Sequence, residues 1–173
     1  YTGLWDFIGQ PETRVMGASW KFGGYVDNRG IYTKDMGYGG YFVEDELHWF
    51  WAGTGVTEGD QVGQAAGIAG YEADAPPLVP NNFGKLVVDP AASDLPVGIQ
   101  VLGTTPAATS TTEGHGAIIH FPYGDNGGEV LNCGSVDCSE GLSTDPVWTK
   151  AILNVFVNFG AITNALTDYD SDS

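Results

Sequence analysis

The chain has 173 residues and a formal net charge of −16, because 22 acidic side chains outnumber 6 basic ones. Hydrophobic residues make up 42% and aromatic residues 12%, which is enough for one domain core or for a large part of a bigger domain. This charge argues against nucleic acid as a partner, because phosphate contacts need clustered Lys and Arg. The sequence contains no apolar run of about 18 residues, so no membrane span is predicted.

Residues 1–40 are rich in Gly and Tyr, and this region ends in the sequence Met-Gly-Tyr-Gly-Gly-Tyr at 36–41. Such spacing predicts irregular loops and short strands. The Tyr rings are expected either to cover structural loops or to stack on sugars. The start at Tyr1, without an initiator Met, indicates a processed chain or a fragment. We therefore treat 1–173 as a single domain or as the C-terminal part of a larger one.

The apolar run from Leu47 to Ala52 predicts a buried strand, which the glycines at 53 and 55 end. Further strands are predicted at 85–88, 98–102 and 116–121. The Thr/Ser/Ala/Pro stretch at 104–112 is typical of an exposed loop.

The sequence Gly-Asp-Asn-Gly-Gly at 124–128 favours positive backbone φ angles, and it therefore predicts a hairpin between 118–121 and 129–132. One strong helix is predicted near the C-terminus, with Asp145 as its N-cap and Pro146 at its first position. The apolar residues that recur at helical spacing are Trp148, Ile152, Val155, Phe156, Phe159 and Ile162. The acidic tail at 168–173 is predicted to fray.

These elements predict an α/β fold, with a β-rich mixed sheet and one strong C-terminal helix. Parallel strands need crossover helices that cover the faces of the sheet. Because only one strong helix is predicted, either the sheet is mostly antiparallel or another polypeptide covers it. We favour the second alternative, which implies a companion chain or an upstream segment.

The two cysteines, Cys133 and Cys138, stand five positions apart around a Gly-containing loop. They form a candidate disulfide in an oxidising compartment, and two reduced, half-buried thiols are the alternative. An acidic, Lys-poor composition is common on secreted and on salt-adapted proteins, and on this basis we expect an extracellular location.

Glu46, just before the apolar run, and His48, within it, are candidate metal ligands. They are two positions apart and would share one face of the predicted strand. A third ligand would have to come from elsewhere in the chain. His115 and His120 would point to opposite faces of their strand. A histidine at the end of a buried strand, with no metal, is the simpler interpretation of His48.

Paired carboxylates such as Glu72 and Asp74 are also candidates for a glycosidase or a calcium site. An acidic chain produces many such pairs by chance. The residues alone therefore predict an acidic, β-rich domain with a terminal helix, and no defined chemistry.

Five segments, in order, carry a resemblance to a known family: 10–17, 48–56 with Gly59 and Asp60, 70–74, 128–135 and the helix region 141–155. Together they resemble the C-terminal part of the N,N-dimethylformamidase large-subunit family. That resemblance implies a class-I glutamine-amidotransferase-like domain without the amidotransferase Cys. It also implies a mononuclear iron, held by Tyr, His and Glu, that activates water against an amide carbonyl.

The chain departs from this family at the metal site. The His-x-Glu motif would fall on Gln10-Pro11-Glu12, so Gln10 stands where a His is needed and only Glu12 carries over. The resemblance places the Tyr ligand upstream of Tyr1. We therefore expect a C-terminal portion of a dimethylformamidase-like protein that is inactive as an amidase on its own.

An upstream segment or partner chain that supplied the missing ligands would bring iron and restore metal-dependent amide hydrolysis. The alternative, from another class, is a secreted, non-catalytic binding or assembly module with a glycan or protein partner. The Tyr/Gly/Trp-rich loops at 1–41 and the acidic surface motivate this alternative.

Overall fold

The computed structural model describes residues 8–26, 39–108, 112–125 and 127–161. These residues form nine strands and two α-helices, together with 3₁₀ turns at Trp49–Trp51 and Glu140–Ser143. The helices are α1 (Thr13–Met16) and α2 (Pro146–Asn158). The strands are β1 (Ser19–Tyr25), β2 (Tyr41–Val43), β3 (Gln61–Val62), β4 (Glu72–Ala75), β5 (Leu78–Pro80), β6 (Leu86–Val88), β7 (Gln100–Ala108), β8 (Glu113–Tyr123) and β9 (Gly128–Asn132).

Seven of these strands form one sheet, and β5 pairs with β6 in a separate two-stranded sheet. Strand β7 is central because both of its edges are paired. One edge pairs with β8, and the other pairs first with β2 and then, at Ala108, with Tyr25 of β1. Every strand pairing among the described residues is antiparallel.

The sheet curls until its two ends meet. Strand β4 pairs with β1 at one end, and at its other edge Ala73 bridges to Ser135, which lies just after β9. The amide of Asp74 donates to the carbonyl oxygen of Gly134 at 2.8 Å. The backbone groups at both ends of the sheet are thereby paired with each other.

Glycine permits this closure at two positions. A Cβ on Gly23 of β1 would overlap the carbonyl oxygen of Ala73 in β4. Gly134 has a φ of +60° and lies against the carbonyl oxygens of Asp74 and Ala117. Only glycine combines that φ with such a close approach of two backbones.

Strand β8 is buried on both faces, so successive side chains enter two different cores. Ile118 belongs to the larger core, which includes Tyr41, Trp51 and Trp148. Ala117, Ile119 and Phe121 belong to the smaller one. A strand without a solvent-facing side reads as a continuous apolar run, which is how 116–121 appears in the sequence.

Helix α2 begins as predicted, with Asp145 as the N-cap and Pro146 in the first turn. One carboxylate oxygen of Asp145 accepts from the amide of Trp148 at 2.9 Å, and the other accepts from the amide of Gly63 at 3.0 Å. The cap therefore also joins the helix to the loop after β3. Trp148 and Ala151 are buried against the larger core.

The predicted β-rich fold with a helix near the C-terminus is confirmed. The sheet is antiparallel in its described pairings, however, where a mixed sheet was expected. Of the two alternatives drawn from the scarcity of helices, the antiparallel sheet is thus the one observed. The likeness to a glutamine-amidotransferase domain stays a prediction.

Two local predictions were wrong. The apolar run after Leu47 is a 3₁₀ turn at Trp49–Trp51 and not a strand, because the His48 ring accepts from the amide of Phe50 and caps the turn. The stretch that begins at 104 is not an exposed loop, since β7 continues to Ala108 and Thr105 is fully buried. Cross-strand pairing with β8 overrides the loop-like composition.

The regular elements α1 and β1 lie within the region predicted as Gly/Tyr-rich loops. Residues 1–7 and 27–38 of that region, and the predicted acidic tail at 168–173, lie outside the described residues. In the part of the chain that is described, no helix is long and apolar enough to cross a membrane.

Replacing the N-cap of α2 is expected to destabilise the fold. Asp145→Ala removes the acceptors of the Trp148 and Gly63 amides and should lower the free energy of unfolding by about 2 kcal/mol. Asp145→Asn keeps one oxygen acceptor and should lose less. Urea unfolding checks this, and equal stabilities of the Ala variant and the original protein would contradict the double role of Asp145.

Candidate functional site

Glu12, the family-derived candidate ligand, lies directly before α1, and its side chain turns towards β1. Its Oε1 atom accepts a short hydrogen bond from the hydroxyl of Ser19. Ser19 is paired in register with Ala75, so this contact places the Glu12 carboxylate beside β4. The antiparallel pairing of β1 with β4 therefore decides which carboxylates Glu12 meets.

Asp74, on β4, is the acidic group next to Glu12. Burial is the main cause that raises the pKa of Asp74, to about 6, and the charges of Glu12 and Glu72 raise it further. A carboxyl group with such a pKa exchanges its proton near neutral pH. We call Glu12 and Asp74 the carboxylate pair, because the charge of Glu12 acts on Asp74, an interaction that the sequence pairing of Glu72 with Asp74 did not reveal.

A cavity of about 640 Å³ opens next to Ser19, and neither Glu12 nor Asp74 lines it. Ser19, which holds Glu12, lines the cavity together with Arg14, Lys21 and Asp94. The Arg14 guanidinium is engaged with Asp94, whose carboxylate lies 2.7 Å away. The cavity wall therefore presents charged groups of both signs, and its volume suits a small ligand.

His48 takes part in a second cluster, at a different cavity of about 400 Å³. Its Nε2 atom lies 3.1 Å from Nδ1 of His120, and Gln100 contacts the same nitrogen of His120 at 3.2 Å. Burial, and then the charge of His120, lowers the pKa of His48. Trp49 packs on the ring of His120 with the ring centroids 5.3 Å apart.

Contrary to the prediction from the sequence, Glu46 and His48 do not share a strand face. Because the segment is a turn and not a strand, alternate residues share no strand face. The acidic residue that lines the cavity with His48 is Asp45, and Glu46 is half-buried. Metal binding by Glu46 and His48 stays a prediction.

His115 lies at a third place, a groove that it shares with Glu44, Glu58 and Lys85. Burial lowers the pKa of His115 and raises that of Glu44. The three histidines therefore line cavities other than the one next to Ser19.

The predicted disulfide is not formed, since Cys133 and Cys138 are free. Their side chains are hydrogen-bonded to each other. This hydrogen bond lowers the pKa of Cys138 to about 7 and raises the pKa of Cys133. The loop between them is fixed by its bridge to β4 and holds two reduced neighbouring thiols.

The described residues do not fit the iron that the family resemblance implies. That iron needs His and Tyr ligands beside Glu12, whereas Glu12 is met by Ser19 and Asp74. Gln10, at the position where the resemblance wants a His, is exposed. Within the described ranges, no three His, Cys, Asp or Glu side chains are grouped so that they could hold a metal ion.

Comparison with known families gives one match. The family described as N,N-dimethylformamidase beta subunit-like, C-terminal, matches residues 1–151. The description names a beta subunit, where the sequence resemblance had suggested the large subunit. Searches among curated proteins and among solved structures give no match.

The stability of the protein should depend on the ionisation of Asp74. The folded state binds the Asp74 proton more tightly than the unfolded chain, because burial raises the pKa to about 6. This carboxyl therefore favours folding at low pH, and its contribution is lost as the pH rises through the interval up to about 6. We expect a loss of about 1 kcal/mol, reduced from the full shift because the side chain is partly exposed.

Asp74→Asn should remove this component and flatten the dependence of stability on pH in that interval, as measured by urea unfolding at several pH values. Asp125→Asn, at an exposed carboxylate, is the control and should leave the dependence unchanged. Identical curves for Asp74→Asn and the original protein would show that Asp74 has an ordinary pKa.

Proposed function

Since the chain belongs to the N,N-dimethylformamidase beta subunit-like C-terminal family, we propose that it is the C-terminal region of a dimethylformamidase-like protein. In this proposal it contributes one side of an amide-hydrolysing site. The observation that supports it is the raised pKa of Asp74, to which the charge of Glu12 contributes, together with the 640 Å³ cavity lined by Ser19, the residue that holds Glu12.

The carboxylate pair supplies part of the chemistry of amide hydrolysis. Asp74, with a pKa of about 6, can take a proton from a water molecule and return it to a leaving amine near neutral pH. Ser19 orients Glu12 by donating to its carboxylate, and Arg14 and Lys21 line the same cavity as Ser19. A cavity of this size suits a small amide better than a polymer.

The residues described here are, in this proposal, inactive as an amidase by themselves. The carboxylates lack the neutral imidazole and the phenol that the resemblance requires around iron. Those ligands come from an upstream segment of the protein or from a companion chain. Iron would then be bound only in the completed protein, with Glu12 as one of its ligands.

The outer side of α2 supports a companion surface. Phe156, in the helix, is 48% exposed, and Phe159, at its C-cap, is 44% exposed. Large apolar side chains exposed together at the end of a helix are typical of a surface that another element covers. The same side chains favour an assembly role as the second candidate function, with protein rather than glycan as partner. An extracellular location stays a prediction.

The amidase proposal is tested with iron and N,N-dimethylformamide. The 173-residue chain alone should bind no stoichiometric iron and give no turnover, because its ligand set is incomplete. The native protein isolated from its source, with any upstream segment and companion chain, should contain iron and hydrolyse small amides. Elemental analysis and detection of released dimethylamine measure both quantities.

In that native protein, Glu12→Gln should lower iron occupancy and turnover by at least about tenfold, since it removes the anionic ligand. Glu58→Gln is the matched control, because Glu58 lies in the groove of His115 and pairs with Lys85. Stoichiometric iron and turnover in the 173-residue chain, or an unaffected Glu12→Gln protein, would refute the proposed division of the site.

The companion surface has a separate test. Phe156→Ser with Phe159→Ser should leave the 173-residue chain folded, because both side chains are exposed, and should remove the partner from the native complex. Native mass spectrometry measures the loss. Leu47→Ser, at a residue 88% exposed at the His48 cavity, is the control. A complex that survives the double substitution would place the partner elsewhere.

A further inference from the structure

We infer that the Phe50 amide, His48 and His120 form a directed chain of hydrogen bonds, in which both imidazole rings are neutral and carry their proton on Nε2, and that this proton of His120 faces Glu129. The chain joins the Trp49–Trp51 turn to β8 and ends opposite β9. It commits the His48 ring as a donor, which leaves that ring no free lone pair for a metal ion.

The direction of the chain is set by the turn. The backbone amide of Phe50 donates to Nδ1 of His48 at 3.2 Å, so this nitrogen supplies a lone pair. A neutral imidazole with an accepting Nδ1 carries its proton on Nε2. That Nε2 lies 3.1 Å from Nδ1 of His120, and His48 is therefore the donor of this bond.

The tautomer of His120 follows from the same bond. Its Nδ1 accepts from His48, so its proton is on Nε2. This Nε2 is buried, has no hydrogen-bond partner at normal distance, and faces Oε2 of Glu129 at 3.5 Å. In the opposite tautomer, the Nδ1–H of His120 would face the Nε2–H of His48. The lone pair on Nε2 of His120 would then face the carboxylate of Glu129.

The side chain of Gln100 also contacts His120. Its Oε1 atom lies 3.2 Å from Nδ1 of His120, and two acceptors would repel each other there if that nitrogen accepts from His48. A half-turn of the carboxamide exchanges its oxygen and nitrogen and removes this repulsion. The hydrogen-bond chain therefore requires the NH₂ group of Gln100 to face His120.

The charged surroundings agree with two neutral rings. The charges that face His48 are those of Asp45, before the turn, and Glu129, on β9, and both favour a protonated ring. Burial and the neighbouring His120 act against protonation and outweigh them, so the pKa of His48 is lowered. Glu129 is itself held by Asn158, whose side-chain amide donates to Oε2 at 2.8 Å.

The chain of bonds gives the cluster a mechanical role. It connects the turn to β8 and ends opposite β9, where Asn158 at the end of α2 holds the facing carboxylate. Trp49 contacts both His120 and Phe159. Its ring centroid lies 5.3 Å from that of His120 and 6.1 Å from that of Phe159. The cluster thus anchors the turn that carries Phe50 and Trp51 into the larger core.

The test is long-range ¹H–¹⁵N NMR of the 173-residue chain with ¹⁵N-labelled histidine, at neutral pH. Both rings should show a protonated Nε2 and an unprotonated Nδ1, and one equivalent of Zn²⁺ should leave their signals unchanged. The His115→Asn variant lacks the signals of the His115 ring and so identifies them in the spectrum. An Nδ1-protonated His48, a doubly protonated His120, or signals displaced by Zn²⁺ would each overturn the inference.

Variants of the acceptor provide a second measurement. His120→Ala removes the acceptor of the His48 proton, and exchange of that ring N–H with solvent should become at least about tenfold faster. His120→Asn places an oxygen near the position of Nδ1 and should restore part of the protection. Exchange rates in both variants equal to that of the original protein would show that His48 does not donate to His120.

Discussion

The structure depends on one contact between the two ends of the sheet, the antiparallel meeting of β4 with residues 134–136. Gly134 makes it sterically feasible, since its φ of +60° brings its backbone onto Asp74 and Ala117. The closure fixes the loop that carries both cysteines, and it positions the carbonyl of Cys133 as acceptor for the buried Tyr41 hydroxyl. The raised pKa of Asp74 has burial as its main cause, and the same strand holds that residue in place.

Features encoded by neighbouring residues were predictable from the sequence. The hairpin between β8 and β9 follows from a run of glycines with positive φ at 124 and 127, and the start of α2 follows from Asp145 and Pro146. In both cases the residues that specify the conformation lie within a few positions of it. The Trp49–Trp51 turn was missed because an apolar run of this length suits a buried strand equally well. Its one distinguishing signal was His48, whose ring caps the turn.

The contacts that form the candidate sites are between distant parts of the chain. His48 and His120 are 72 positions apart, and Glu12 reaches Asp74 only because β1 pairs with β4. A single sequence contains the members of each cluster and no information about which strands are neighbours. The sequence therefore offered Glu12 and His48 as candidates but could not show which distant side chains act on them. Pairing of β8 with β7 likewise decides that Thr105 is buried, against its loop-like context.

The two clusters respond differently to the excess of negative charge on this chain. At the histidine pair, both nitrogens of the His48 ring are hydrogen-bonded, and burial lowers the pKa of His48 although Asp45 and Glu129 lie nearby. At the carboxylate pair, the nearby Arg14 guanidinium is bound to Asp94, and Asp74 instead retains a proton up to a pH of about 6. A cation brought there by further ligands would stabilise the ionised form of Asp74 and reverse that shift. Proton uptake and a bound cation are therefore alternative ways to offset the burial of the Asp74 carboxylate and the negative charges that act on it. Of the two clusters, only the carboxylate pair holds a carboxyl group whose pKa is raised in this way.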